Sequence, residues 1–171
     1  MHVLISDSGV GGLSVCAYAE RFLRTGACAD DPVRLTFANA APENDYGYNA
    51  MSSREEKLST FDRFLRNVTE RYAPDSIYVA CNTLSVLLPD VPFVRTARMP
   101  VRGILETAID QLIRRFQSDS DKMIVIFGTP TTIEAGTGAA ALASTAIVRT
   151  ASFSKARMAE AGAAMALGVM A

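Results

Sequence analysis

Cys81 is the residue that this sequence best equips for chemistry. It follows the apolar run Ser76–Ala80 and precedes Asn82, Thr83 and a helix-forming stretch. A thiol at a strand end and helix start lies near the positive end of a helix dipole. That setting lowers its pKa from about 8.5 toward neutrality and makes a usable base or nucleophile. A buried free cysteine is also a common small hydrophobe, so position alone leaves both readings open. Asn82 and Thr83 favour a site, because two polar side chains directly after an apolar strand suit a ligand carboxylate or ammonium. Asp7 and Ser8 stand in the same relation to the apolar run His2–Ser6, and Thr129 and Thr132 to Met123–Phe127.

The remaining candidates are weaker. Cys16 lies one turn into the first helix, beside core-facing positions, and reads as packing. Cys28 lies past the far end of that helix, nearly ~20 Å from the strand ends at ~1.5 Å per residue, and cannot share a site with Cys81. His2 starts a strand at the opposite edge of the sheet. It is the only histidine, and no Cys-x-x-Cys spacing occurs, so the chain offers no metal-ligand set. Gly9-Val-Gly-Gly12 suggests a dinucleotide loop, but Ser14 stands where the third glycine belongs and Asn39 where an acidic residue belongs. The alternative is a tight turn that lets helix and strand pack closely, with backbone amides free to receive a carboxylate. Arg95, Arg98 and Arg102 read as a solvated surface.

Positioning these residues requires alternating strands and helices. Strands are expected near 2–6, 33–38, 76–80, 101–104, 123–127 and 147–151. Val15, Ala19, Phe22 and Leu23 mark one face of a helix over 13–24. Ser52 with Glu55 forms a capping box for a second helix, whose stripe is Leu58, Phe61, Leu65, Val68 and Tyr72. Pro74 ends it. Pro89, Pro92 and Pro100 suggest a linker or hinge. Leu105, Ala108, Ile109, Leu112, Ile113 and Phe116 form a third stripe. Further helices are expected from Pro130 to about Ala143 and over 155–167. The pattern is that of an α/β fold, a parallel sheet flanked by helices in a flavodoxin/Rossmann-like lobe, with ligands bound beyond the strand C-termini. Residues 1–98 form one lobe and 99–171 part of a second.

Composition narrows the function further. The chain has 171 residues, 49% hydrophobic and 20% charged, enough to bury a core. Lys and Arg number 17 and Asp and Glu 18, which leaves no electrostatic footprint for nucleic acid or an anionic membrane. No apolar run approaches the ~18–20 residues of a membrane span. The apolar start is too short for a signal peptide and an acidic residue follows at once, so a cytoplasmic protein is expected. Three cysteines at irregular spacing argue against a disulfide framework.

Taken together, Ser6-Asp-Ser-Gly-Val-Gly-Gly-Leu-Ser-Val15, Asp45-Tyr46-Gly47, Ala80-Cys-Asn-Thr83 and Gly128-Thr-Pro-Thr-Thr132 resemble the glutamate racemases of the aspartate/glutamate racemase family. The motifs occur in the family's order and cover the chain to about Gly136. The resemblance implies a cofactor-independent isomerase of two pseudosymmetric α/β lobes, interconverting L- and D-glutamate and supplying D-glutamate for peptidoglycan. Two cysteines would flank the substrate α-carbon, one removing its proton and the other protonating the opposite face. Carried over by motif, Cys81 is the first cysteine. Asp7 and Ser8, Tyr46 and Gly47, and Asn82 and Thr83 match substrate-binding pairs, and Thr129 and Thr132 a further motif. Asp7 is also a catalytic candidate. A carboxylate ~4 Å from a thiolate opposes it by about 4 kcal/mol at an effective dielectric of ~20. A helix terminus offsets at most ~2 kcal/mol. Asp7 therefore accepts the thiol proton or pairs with the substrate ammonium; both roles stay open. The implied partner is glutamate, with a homodimer a possible assembly.

The chain departs from the family in one respect that bears on activity. The second cysteine's segment, Gly-Cys-Thr-His, is absent. The expectation is a truncated form that does not racemise efficiently. The alternatives are a non-catalytic acid-binding α/β module and a one-cysteine decarboxylase or isomerase of the same superfamily.

Overall fold

The structure, a computed structural model, describes residues 1–25, 32–42, 46–116, 123–136 and 147–152. The chain divides into two compact units, Met1–Ile104 and Leu105–Ala171. In the first, β1 (His2–Asp7), β2 (Arg34–Asn39), β3 (Ser76–Val79) and β4 (Val101–Gly103) form a parallel sheet in the order β2-β1-β3-β4. β1 is central, and both of its faces are covered: Leu4 and Ile5 point to opposite sides and both are buried. Between β1 and β3 the winding of the chain reverses, the topological switch point at which α/β sheets bind ligands. Because β4 pairs with β3, the boundary expected after Arg98 falls after Ile104 in the structure.

Two helices carry the site's supports. α1 (Gly12–Thr25) packs on β1 and β2. Its expected apolar face is only partly covered: Val15, Ala19 and Leu23 are half-buried, but Phe22 is 59% exposed. Phe22 sits at the rim of an open apolar groove of about 580 Å³ between α1 and the sheet, with Val3, Ile5 and Tyr78 on its floor.

α2 (Arg54–Tyr72) buries Phe61, Leu65 and Val68, as its periodicity predicts. Its cap is one residue later than expected. Ser53 Oγ accepts from the Glu56 N–H, while the Glu56 carboxylate accepts from the N–H and hydroxyl of Ser52. The capping box is thus built on Glu56 rather than Glu55. α2 ends at Tyr72, and Ala73 takes the left-handed conformation (φ 42°) before Pro74, which disfavours helix at the residue preceding it.

The stretch expected as a linker is instead packed structure. After α3 (Asn82–Ser85), a 3₁₀ turn (Leu88–Asp90) and α4 (Pro92–Thr96) follow. Leu87, Leu88, Val91 and Phe93 are all buried. Pro89 and Pro92 lie in the first turns of these short helices, where a missing N–H costs nothing, so they shape the chain without opening it. Asp62 of α2 accepts from the Phe93 N–H at 2.6 Å and from Arg66, whose guanidinium lies over the Phe93 ring.

In the second unit, β5 (Met123–Gly128) pairs in parallel with β6 (Ile147–Ser152). α5 spans Ile104–Phe116, with Ile109 its buried residue, and α6 spans Pro130–Glu134. The helix expected beyond Gly136 and the one expected over 155–167 lie outside the described residues. No helix among the described residues is long and apolar enough to cross a membrane.

Candidate active site at the ends of the first and third strands

The register Ser6↔Val79 brings the C-terminal ends of β1 and β3 side by side. Backbone bonds continue past the strands: the Ala80 N–H donates to Ser6 O and the Ala40 N–H to Asp7 O, each at 2.7 Å. Alternation along the chain then sends Asp7 and Ser8 to opposite sides. Asp7 turns toward the start of α1, where its Oδ2 accepts from the Gly12 N–H at 2.5 Å. Ser8 turns toward Cys81, and Ser8 Oγ lies 3.2 Å from Cys81 Sγ. Gly12 is what allows this closeness: a Cβ there would lie 2.7 Å from the Asp7 Cβ and 3.1 Å from the Phe37 ring. The glycine loop therefore serves close helix–strand packing rather than a dinucleotide.

Cys81 is buried and free. Burial pushes its thiol pKa up, and the Asp7 carboxylate adds to the rise. The Ser8 hydroxyl and the amides of Ser8 and Leu84 pull the other way without cancelling it. This corrects the expectation of a thiol lowered toward neutrality. The helix that was to supply the dipole, α3, is four residues long, too short to carry one of any size. Burial therefore favours the neutral thiol over the thiolate in this structure.

The other sequence candidates distribute unevenly. Asn82 is exposed at the start of α3, and Thr83 beside it is buried. The Tyr46 hydroxyl donates to Glu56 Oε1 at 2.7 Å at the start of α2, and this bond raises the phenol's pKa while lowering that of Glu56. Gly47 closes a turn by accepting from the Ala50 N–H. Thr129 and Thr132 lie in the second unit, at the end of β5 and in α6, with their hydroxyls 3.0 Å apart. Asp45 and Cys28 lie outside the described residues. Cys16 is half-buried on α1, and burial and Glu20 raise its pKa.

His2 is structural. Its ring bridges β1 and β2, with Nε2 2.8 Å from Thr36 Oγ1 and Nδ1 2.7 Å from an Arg34 nitrogen. Among the described residues no cluster of His, Cys, Asp or Glu is fit to hold a metal ion.

Sequence reasoning missed Tyr48. Its ring is buried edge-on against Phe61, its hydroxyl has no hydrogen-bond partner among the described residues, and burial raises its pKa. The available signal was a second tyrosine just past the Tyr46–Gly47 pair.

Comparison with known proteins agrees with the motifs. The chain is 31% identical over 100 residues to a glutamate racemase of Granulibacter bethesdensis, covering 54% of this chain and 33% of that protein. It is 28% identical over 144 residues to that of Chlorobium phaeobacteroides, covering 81% and 46%. The chain thus spans about a third to a half of the length of these relatives. No family model matches it. In fold it is similar to the glutamate racemases of Aquifex pyrophilus (TM-score 0.64, 23% identity, 88% of this chain and 55% of that one) and Campylobacter jejuni (0.68, 22%, 95% and 61%). The Picrophilus torridus aspartate racemase shares the fold at lower similarity (0.54, 14%, 86% and 62%). The chain resembles glutamate racemases in sequence, and its α/β fold is theirs.

Proposed function

We propose that this chain carries one half of a cofactor-independent racemase site for glutamate, with Cys81 as the thiol on one face of the substrate α-carbon. The observation that carries this reading is the Ser8–Cys81 contact at the β1/β3 switch point, made by two of the motifs on which the resemblance to glutamate racemases rests. The Cys81 thiolate takes the α-proton, and the electron pair left on carbon delocalises into the substrate carboxylate. Ser8, Asn82, Thr83 and the loop amides after Gly9 are the donors available to hold that carboxylate as its charge grows. Asp7 fits the ammonium partner better than the proton acceptor, because Ser8 rather than Asp7 holds the sulfur. Tyr46 and Gly47, and Thr129 and Thr132, are proposed as further substrate-binding residues from the motifs they match. The setting is cytoplasmic, and D-glutamate made by a complete two-thiol site of this kind would serve peptidoglycan synthesis.

Inversion needs an acid on the opposite face, and the sequence has cysteines only at 16, 28 and 81. Returning the proton from Cys81 restores the starting enantiomer. In deuterated water the 171-residue chain is therefore expected to place deuterium slowly at the α-carbon of L-glutamate while optical rotation stays constant. Cys81→Ser should abolish the exchange. Formation of D-glutamate at an ordinary enzymatic rate, lost in Cys81→Ser, would refute this. The raised thiol favours a second reading, an acid-binding module without catalysis. In that case glutamate shields Cys81 from alkylation and no exchange occurs.

A further inference from the structure

The four-stranded sheet is sealed on one face and half open on the other. Right-handed crossovers put the β1–β2 connection, α1, on one face. The β2–β3 and β3–β4 connections, with α2 and α4, fall on the other, because the direction of winding reverses between them. On the α2 face Leu4, Ile77 and Val79 are at most 1% exposed. On the α1 face Val3 lies opposite Leu35, and Ile5, Tyr78 and Arg102 lie in one row. Here α1 packs on β1 and β2, while Tyr78 of β3 stays half-buried and Arg102 of β4 exposed. The strip over β3 and β4 is the open apolar groove of about 580 Å³. A parallel sheet ordinarily buries both faces. The rim of the groove is a ridge of exposed apolar side chains. Tyr18 (73% exposed) and Phe22 stand one turn apart on α1, and Met1 (65%) stands beside them. These three expose on the order of 400 Å², about half of the ~800 Å² that each partner buries in a stable complex. Half-buried Val3, Val15, Leu23, Leu35 and Tyr78 extend the same surface. A contiguous apolar patch of this size marks an interaction surface.

We propose that this face is an interface between two copies of the chain, related by a two-fold axis, in which Tyr18 and Phe22 of each copy enter the groove of the other. A two-fold interface must be self-complementary, and here ridge and groove lie side by side on one surface. Each α1 then covers β3 and β4 of the other copy's sheet. Both sheets bury their open face against a shared layer of two helices. Arg102 is the one charged side chain on the groove wall among the described residues. Its guanidinium meets the ring of the partner's Tyr18, a cation–π pair that takes the place of solvent.

The experiment follows the mass of the full chain by sedimentation equilibrium as its concentration rises through the micromolar range. Wild type should pass from monomer to dimer. Tyr18→Lys puts a cation opposite Arg102 and should raise the dimer dissociation constant about thirtyfold or more, the size of an interface hot spot. Leu13→Lys removes another exposed apolar side chain of α1, one that does not line the groove, and should leave the constant unchanged. Arg102→Glu should restore dimers when mixed with Tyr18→Lys, since the mixed pair sets opposite charges against each other. A monomer throughout overturns the inference and leaves the groove to a different polypeptide or an apolar ligand. A dimer that Tyr18→Lys weakens no more than Leu13→Lys does overturns it too, because the copies then meet elsewhere. Should Tyr18→Lys fail to fold, iodination of Tyr18 in wild type replaces it. The ring should be shielded at the concentrated end of the range and open at the dilute end. Equal labelling at both ends overturns the inference.

Discussion

At Cys81, opposed forces set the chemistry. Burial and the Asp7 carboxylate hold the proton on sulfur, while the Ser8 hydroxyl favours its release. Ser8→Ala removes the one side-chain hydrogen bond described on the sulfur. A hydrogen bond to a charged group contributes about 1.5–3 kcal/mol, so alkylation of Cys81 at pH 8 should slow about tenfold or more in this variant. Asp7→Asn should act in the opposite direction on the same profile, since it removes the charge that opposes the thiolate. Alkylation rates against pH for the two variants check both signs. Sequence reading named Asp7 and Cys81 as catalytic candidates and left the role of Asp7 open; in the structure the Asp7 charge opposes the thiolate, while its carboxylate accepts from the start of α1 and Ser8 contacts the sulfur.

At the level of elements, the site depends on α1 sitting hard against the ends of β1 and β3. Gly12→Ala places a methyl 2.7 Å from the Asp7 Cβ and 3.3 Å from the Ala80 Cβ. Either α1 or the strand ends must move. The expected cost is about 1–3 kcal/mol in urea denaturation, with the Cys81 alkylation profile altered as well. Behind the site, Asp62 joins α2 to α4. Burial raises its pKa, but the Arg66 guanidinium and the Phe93 amide together lower it below 3.8. A carboxyl whose folded pKa is depressed contributes stability above its unfolded pKa, and that contribution is lost as pH falls through the folded value. Asp62→Ala is therefore expected to cost about 1.5–3 kcal/mol at pH 7, with the gap from wild type closing as pH falls through the lowered pKa of the folded carboxyl. A gap that stays constant across this range would show that the carboxylate is not the origin of the effect.

For the whole molecule, the first unit holds a core of its own, with Leu4, Phe61, Leu65, Leu84, Leu87 and Val91 all fully buried within it. Every strand of its sheet pairs inside Met1–Ile104. A compact unit with its own core is expected to fold alone. Residues 1–104 expressed by themselves should unfold in one cooperative urea transition and reproduce the Cys81 alkylation profile of the full chain. A broad, non-cooperative transition would mean that the residues after Ile104 are needed to complete the unit.

The sequence by itself determined the order of elements, their parallel arrangement and the strand ends where the polar residues gather. These follow from periodicity, which the chain carries locally: Phe61, Leu65 and Val68 fall on one helical face wherever that helix lies. The motifs also fixed the resemblance to glutamate racemases, since they are short stretches read residue by residue. Other features depend on what residues distant in the chain do to one another. Pro89 and Pro92 looked like breaks, yet they sit among buried Leu88, Val91 and Phe93, because α2 supplies the surface and the Asp62 cap that hold them. Tyr46 and Tyr48 are indistinguishable by type. Only the packed loop sends one to Glu56 at the surface and buries the other edge-on against Phe61. The thiol's proton affinity is likewise a tertiary property. It is set by how deeply β3 is covered and by which β1 side chains face the sulfur, and neither can be read from the residues flanking Cys81.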